Sequence, residues 1–391
     1  MLLLLLLPTA LLLCPGMAAA ARMAPALGKT GPLGKTLPAR PLIVGYANWN
    51  QCDEKIVDAV RDGVNVVIWF SVNLLTHPVT GLPNVQGGPD LDCVADRVRE
   101  IRALDGGHEV VHLLSCGGWN SPHPDTSNSA EAIYEELNRW NRLDAARPEK
   151  GFFGFDGFDW DIEGNDDKSS PYNYFTKACL DTMGIISILA KQNGYLIAMA
   201  PAESYLDPHT SLFDRKLTHT YSEWNDLQPD FNYHGRNVYA YLVSKYGLSE
   251  TGSPTFDFIM VQLYEGYSHT EYNLTVAKTD PAKYITDLVS RFQRGWTVPF
   301  STDVELDYPD AVVSVQPAQL VIGLANGWAG DGKFLFIAPD TLKRIYAALQ
   351  SENLNVRGFG FWNILDEGKA SPSDPTTPVW LAKALKDIVT A

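Results

Sequence analysis

The chain has 391 residues, 45% of them hydrophobic, and a formal net charge of −15. That length buries a sizeable core and admits a barrel of about 250 residues or more within one domain. So acidic a chain repels phosphate backbones and anionic lipid, which excludes nucleic acid as its natural partner.

The N-terminus is an apolar run, Leu2 to Leu13, interrupted by Pro8 and Thr9 and followed by small residues from Met17 to Ala21. It reads as a secretory signal over residues 1–21, cleaved near Ala20-Ala21, and it predicts an extracellular location. The run is too short to span a bilayer, and no later stretch is long and apolar enough, so no membrane span is expected. Residues 22–40 are rich in Pro, Gly and Lys and read as a flexible lead-in. The Gly-Lys-Thr repeated there is not a phosphate loop, because Met23 and Lys29 stand where its first glycine belongs.

From residue 41 onward short β-rich runs recur at Leu42–Asn48, Val64–Val72, Val110–Ser115, Phe152–Ile162, Tyr195–Ala200, Phe256–Leu263, Leu320–Leu324 and Val356–Trp362. Stretches with helical spacing separate most of them: Asp92–Leu104, Ala130–Arg147, Tyr172–Gln192, Pro281–Gln293 and Pro339–Gln350. This alternation predicts an α/β fold, a (β/α)8 TIM barrel forming one catalytic domain over 41–391. A doubly wound sheet would bring a Gly-rich phosphate turn after the first strand, and Gly45-Tyr46-Ala47-Asn48-Trp49-Asn50 is not one. The longest strand-poor connection, Glu203 to Thr255, holds Tyr221, Trp224, Phe231 and Tyr239 and reads as a helix plus an elaborated loop. A final helix follows Leu381.

With Cys14 removed in the signal, Cys52, Cys93, Cys116 and Cys179 allow three pairings. Cys52–Cys93 is preferred because both fall outside strands, whereas Cys116 ends an apolar strand and suits a buried thiol. There is no CxxC pair and no HExxH helix, so no metal site and no cofactor are expected. Asn273-Leu274-Thr275 is a glycosylation sequon.

The segment that carries chemistry is Gly151 to Gly164, which sets Asp156, Asp159, Asp161 and Glu163 among Phe and Trp. Read as a strand, period two puts Asp159, Asp161 and Glu163 on one face and Phe158, Trp160 and Ile162 on the other. In a barrel the acidic face points inward, with Glu163 at the C-terminal rim where barrel active sites lie. Burying like charges without partners costs several kcal/mol per ion, and no packing gain requires it. A calcium cage would place its oxygens on a loop instead. Acids this close titrate together, with at least one kept protonated near neutrality. Glu163 is placed to give a proton to a leaving oxygen. Asp161, with its Cα about 6.6 Å along the same edge, is badly placed to attack a sugar from the opposite face. The substrate's own 2-acetamido oxygen is then the natural nucleophile.

Asp156-Gly-Phe-Asp-Trp-Asp-Ile-Glu163 resembles the DGxDxDxE signature of glycoside hydrolase family 18, the chitinase family, whose catalysis is substrate-assisted. Ser115-Cys116-Gly117-Gly118 resembles its SxGG motif, Met199 to Glu203 its fifth-strand end, Gln262-Leu263-Tyr264 its Gln-x-Tyr, and Gly360-Phe361-Trp362 its eighth-strand tryptophan. The resemblance implies a chitinase that hydrolyses β-1,4-linked N-acetylglucosamine polymers with retention; the N-terminal signal implies its secretion, and the short segment from Gly323 to Val356 favours endo action. Glu163 would be acid and then base, Asp161 would orient the acetamido group, Asp159 would share a proton with Asp161, and Tyr264 would hydrogen-bond the acetamido oxygen. Tyr46, Gly118, Trp119, Met199, Gln262 and Trp362 would bind substrate, with Trp119 and Asn120 on the product side. The expected partners are chitin or N-acetylglucosamine oligosaccharides, met by a monomer. An endo-β-N-acetylglucosaminidase acting on N-glycan cores would share the motif, and a non-catalytic chitin-binding lectin would be expected to lack Glu163. Two departures stand out. Glu265 occupies a place where many relatives carry Asn, and Gly323 to Val356 is too short for the α+β insertion that walls a deep tunnel, so an open cleft is expected.

Overall fold

The computed structural model describes residues 34–217, 236–249, 252–265, 268–329 and 334–391. The expected signal and cleavage site, most of the lead-in, and Tyr221, Trp224 and Phe231 lie outside the described residues. Eight parallel strands form the barrel: β1 (Leu42–Tyr46), β2 (Val66–Thr76), β3 (Val111–Gly118), β4 (Gly157–Ile162), β5 (Leu196–Met199), β6 (Phe258–Gln262), β7 (Leu320–Ala325) and β8 (Gly358–Trp362). Each pairs with the next, and β1 pairs with both β2 and β8, which closes the ring. A helix follows each strand: α1 (Glu54–Arg61), α2 (Leu91–Arg102), α3 (Ala130–Arg139), α4 (Lys177–Gln192), α5 (Ala240–Tyr246), α6 (Pro281–Arg294), α7 (Pro339–Ser351) and α8 (Leu381–Val389). The expected (β/α)8 barrel is therefore the fold observed, with every predicted strand in place.

Local chemistry explains the helix starts. Ser129, Thr176 and Asp280 accept the N–H three residues on, which satisfies an otherwise unpaired donor at the first turn of α3, α4 and α6. Pro281 opens α6, where its missing N–H costs nothing. The short α1, capped by Asp53, went unread because eight residues give too little periodicity.

Alternation along the strands builds two apolar layers. Leu42, Val44, Val66, Ile68, Val111, Leu113, Phe258, Met260 and Val321 fill the barrel interior. Ile43, Val67, Trp69, Phe158, Trp160, Ile162, Ile259 and Phe361 pack outward under the helices. Strand β2 outruns the barrel and turns back as an antiparallel hairpin with Pro83–Gly87, an extension the sequence reading stops short of at Val72.

Three further expectations meet the structure directly. Cys52 and Cys93 form the disulfide, tying the loop after β1 to the first turn of α2, while Cys116 and Cys179 are buried free thiols. The lead-in, where described, is fastened rather than flexible. Lys35 Nζ donates to His108 O at 2.8 Å, Arg357 donates to the carbonyls of Pro38 and Arg40, and Leu37 packs against the barrel interior. The segment between β7 and β8 holds α7 and, among the described residues, no α+β insertion. No helix among the described residues is long and apolar enough to cross a membrane.

Candidate active site

The acidic row occupies the inner face of β4, as period two requires, because Phe158, Trp160 and Ile162 take the outward layer. Room for the carboxylates comes from small residues on the flanking strands. Asp159 lies opposite Ser115 and Ala198, and Asp161 opposite Gly117. Gly117 has φ +100°, and a Cβ there would sit 2.7 Å from the Asp161 carbonyl oxygen, so a side chain would force the two strands apart at the rim.

Asp159 is fully buried. Its Oδ2 accepts from Tyr46 Oη and Ser115 Oγ, at 3.0 Å each, while Oδ1 has no hydrogen-bond partner among the described residues. Burial pushes its pKa up to about 7 against the lowering effect of those two donors. Asp161 Oδ1 accepts from Gln262 Nε2 at 2.9 Å, and its carboxyl is hydrogen-bonded to that of Glu163. Burial, then the charges of Glu163 and Asp159, hold Asp161 well above the usual carboxylate range. Burial also raises Glu163, although the hydrogen bonds to Asp161 and Gln262 pull the other way. Tyr46 and Ser115 thus engage Asp159, while Gln262 and Glu163 engage Asp161.

Gln262, expected to line a subsite, contacts the acid pair itself. Its single amide nitrogen lies 2.6 Å from Ala200 O, 2.9 Å from Asp161 Oδ1 and 3.3 Å from Glu163 Oε1, so it fixes the geometry of the acid pair. Two residues unassigned by sequence reasoning steady the end of β4. The Tyr239 hydroxyl accepts from Ile162 N at 2.8 Å and donates to Ile162 O at 2.9 Å. His123 Nε2 donates to Glu163 O at 2.8 Å, and burial lowers that imidazole to about 4, which keeps it neutral at ordinary pH. Neither sits in a motif, and only the fold brings them to β4.

Aromatic rings surround the acids. Trp362 packs beside Tyr46 and Phe70, at ring separations of 5.9 and 4.7 Å, and Trp49 stands edge-on to Phe70 at 4.4 Å with 46% of its surface exposed. Gly118 passes beneath Phe70 and Trp49, and with φ +109° a Cβ there would lie 2.3 Å from the Phe70 ring. Tyr264 is buried, edge-on to Trp328, within electrostatic reach of all three acids of the row. Trp328, unassigned from sequence, donates to the Trp362 carbonyl. Glu265 is buried beside Tyr264 and adds to the negative field on Asp161. At the rim Trp119 Nε1 and Asn120 Nδ2 both donate to Asp166. Met199 does not join this group. It is fully buried in the outward layer, since alternation along β5 turns Ala198 and Ala200 inward, and the expected substrate contact is withdrawn.

The fold has counterparts among solved structures. A family GH18 chitinase from Chromobacterium violaceum is similar with a TM-score of 0.59 at 17% identity, over 95% of this chain and 91% of that one. A GH18 chitinase from Pseudoalteromonas aurantia is similar with a TM-score of 0.52 at 13% identity, over 89% of this chain and 99% of that one. At these identities the likeness is one of fold: the chain has the barrel of GH18 chitinases. The sequence matches no family model, and no curated protein matches it.

Proposed function

We propose that this protein is an exported glycoside hydrolase that cleaves β-1,4-linked N-acetylglucosamine polymers by substrate-assisted retaining catalysis. The observation that carries the reading is the acid pair. Asp161 and Glu163 lie on the same side of the rim, with Gln262 Nε2 at 2.9 Å from one carboxyl and 3.3 Å from the other, so Asp161 is a neighbour of the acid and not an attacking group set across the sugar from it.

Chemistry follows from that placement. Glu163 gives its proton to the bridging oxygen as the C1–O bond breaks, and the substrate's acetamido carbonyl oxygen bonds to C1 from the opposite face. Asp161, turned from Glu163 to the acetamido N–H, accepts that hydrogen bond and offsets the positive charge of the oxazolinium ring. Tyr264 Oη donates to the acetamido oxygen, and the Trp362 ring supports the sugar from below. Glu163, now a carboxylate, takes a proton from water as that water opens the ring at C1, which returns the enzyme and retains the anomeric configuration. The acid form of Glu163 is the reactive one in the first step, so its raised pKa extends activity upward in pH, and activity falls as pH rises through it.

Hydrolysis of a fluorogenic chitobioside by wild type and Glu163→Gln tests the reading. The substitution is expected to lower kcat by about 10²–10⁴. Equal rates from the two proteins would favour a binding protein without catalysis. The absence of an α+β wall among the described residues between β7 and β8 supports an open, endo-acting cleft, and soluble chitin oligomers should give mixed products. Release of dimer alone from one end would refute that detail.

A further inference from the structure

A second cluster of ligand-type side chains lies at the C-terminal ends of β5 and β6, apart from the acid row. Glu203, Asp207, His209 and His269 each bring one donor atom into a group whose members all lie within 4.8 Å of one another. No sequence motif announces it, because its members come from two segments that only the barrel brings together. We propose that this cluster is a binding site for one divalent metal ion of the zinc class, with His209 Nδ1, His269 Nδ1 and the carboxylates of Asp207 and Glu203 as ligands.

The donor set is the first reason. Two imidazoles with two carboxylates suit zinc and neighbouring first-row ions and are poor for calcium or magnesium, which take oxygen alone. Spacing is the second. Ligands at about 2.0–2.2 Å from a tetrahedral ion lie roughly 3.3–3.6 Å from one another, so the cluster closes on an ion by small side-chain rotations. Asp207 already spans the two rings, with Oδ2 2.5 Å from His269 Nδ1 and Oδ1 3.4 Å from His209 Nδ1.

Unmet polar groups are the third and independent reason. Glu203 and Asp207 are almost wholly buried, and Glu203 accepts one backbone N–H, from Thr270, shared between its two oxygens at 3.2 Å each. His209 Nδ1, Thr270 Oγ1 and Tyr284 Oη are buried, and none meets full hydrogen-bond geometry among the described residues, although His209 faces Asp207 and Tyr284 faces Thr270. Tyr284 is itself 6% exposed, stacks on His209 at 5.4 Å and 6°, and lies within electrostatic reach of Glu203 and Asp207. A dication would offset the two carboxylates and engage His209, and a water on that ion would reach the hydroxyls.

The ligands are also held in place. Asn237 Oδ1 accepts from Asp207 N, while its Nδ2 donates to the carbonyls of Thr210 and Leu212, which fixes the turn that carries Asp207 and His209. A metal here would tie the β5 connection to the segment after β6, behind Gln262 and Tyr264, and its role is to brace that wall.

The test uses the whole secreted protein, stripped with EDTA, dialysed and titrated with zinc chloride at neutral pH, read by calorimetry, elemental analysis and thermal unfolding. One zinc per chain with a raised melting temperature is expected. His269→Asn keeps a donor for Asp207, and with His209→Ala it should weaken zinc binding at least a hundredfold and abolish the thermal shift, each read against the variant's own melting temperature in EDTA. Wild-type protein that binds no zinc, or a double variant that binds it equally well, would overturn the proposal. Should the variant fail to fold, the wild-type stoichiometry of one or none decides alone.

Discussion

Two buried acids at one end of the barrel, Asp161 in the row and Asp207 outside it, are treated oppositely. Along β4, Asp159, Asp161 and Glu163 meet neutral donors, Tyr46, Ser115 and Gln262, and one another. Burial raises all three, and at Asp161 the charges of Glu163 and Asp159 add to it. Around Asp207, burial acts in the same direction, but contacts with His209 and His269 overcome it and hold that carboxyl well below the usual range. Glu203, bonded to a backbone amide and repelled by Asp207, is pushed up to about 7 by burial first. At equal burial, then, the sign of the neighbours decides whether an acid stores a proton or attracts a cation.

The largest effect should come from the row. Asp161→Asn is expected to lower kcat on soluble N-acetylglucosamine oligosaccharides by about 10²–10⁴, the range for a lost proton-handling group. Asp156→Asn should cost much less, because Asp156 accepts the His112 amide away from the acid pair. Equal losses from the two would break the distinction between the rim pair and the rest of the motif.

Stability against pH separates the two acid groups by sign. Asp159 has a folded pKa of about 7, raised above its unfolded value, so its favourable contribution is complete in acid and is lost as pH rises through 7. Asp159→Asn should therefore add stability above pH 7, by up to about 4 kcal/mol, and little at pH 4, in chemical denaturation. Asp207 behaves in reverse. Its depressed carboxyl stabilises the fold above the unfolded value and loses that contribution in acid. Asp207→Asn in EDTA should cost about 3 kcal/mol near pH 6, the scale for breaking a buried ion pair. That deficit should shrink as pH falls, and again as pH climbs past the His269 pKa, which Asp207 raises against burial. Parallel pH profiles for the two variants would contradict the comparison. The smallest effect should be Ser115→Ala. It removes one of two donors to Asp159 and should cost about 1 kcal/mol below pH 7, measured by the same unfolding curves.

The barrel was legible because its strands are short, apolar and β-branched, and because strict alternation on β4 separates acids from aromatics. The acid row was legible for the same reason, since a buried strand has no packing use for Asp159 or Asp161. What stayed hidden depends on contacts between distant segments. Tyr239 and His123 hold the backbone of β4 from loops whose sequence carries no periodicity. The Glu203–His269 group forms only when β5 and β6 are neighbours. Met199 was misjudged because motif likeness outweighed the alternation that turns it outward. The sequon illustrates the same limit: Asn273 lies in a helical turn and donates its amide to His269 O, a use that its local sequence does not reveal.

The ring of strands is sealed by its first and last members, with Leu42 set opposite Gly358. A nascent chain still lacking β8 presents β1 as a bare edge, and its other end is equally bare. Such edges recruit whatever strand is at hand. Pairing the two ends of a polypeptide is also slow, because so much chain must be gathered before any contact repays it. The ring can therefore close only once β8 has been made, however early the other strands pair.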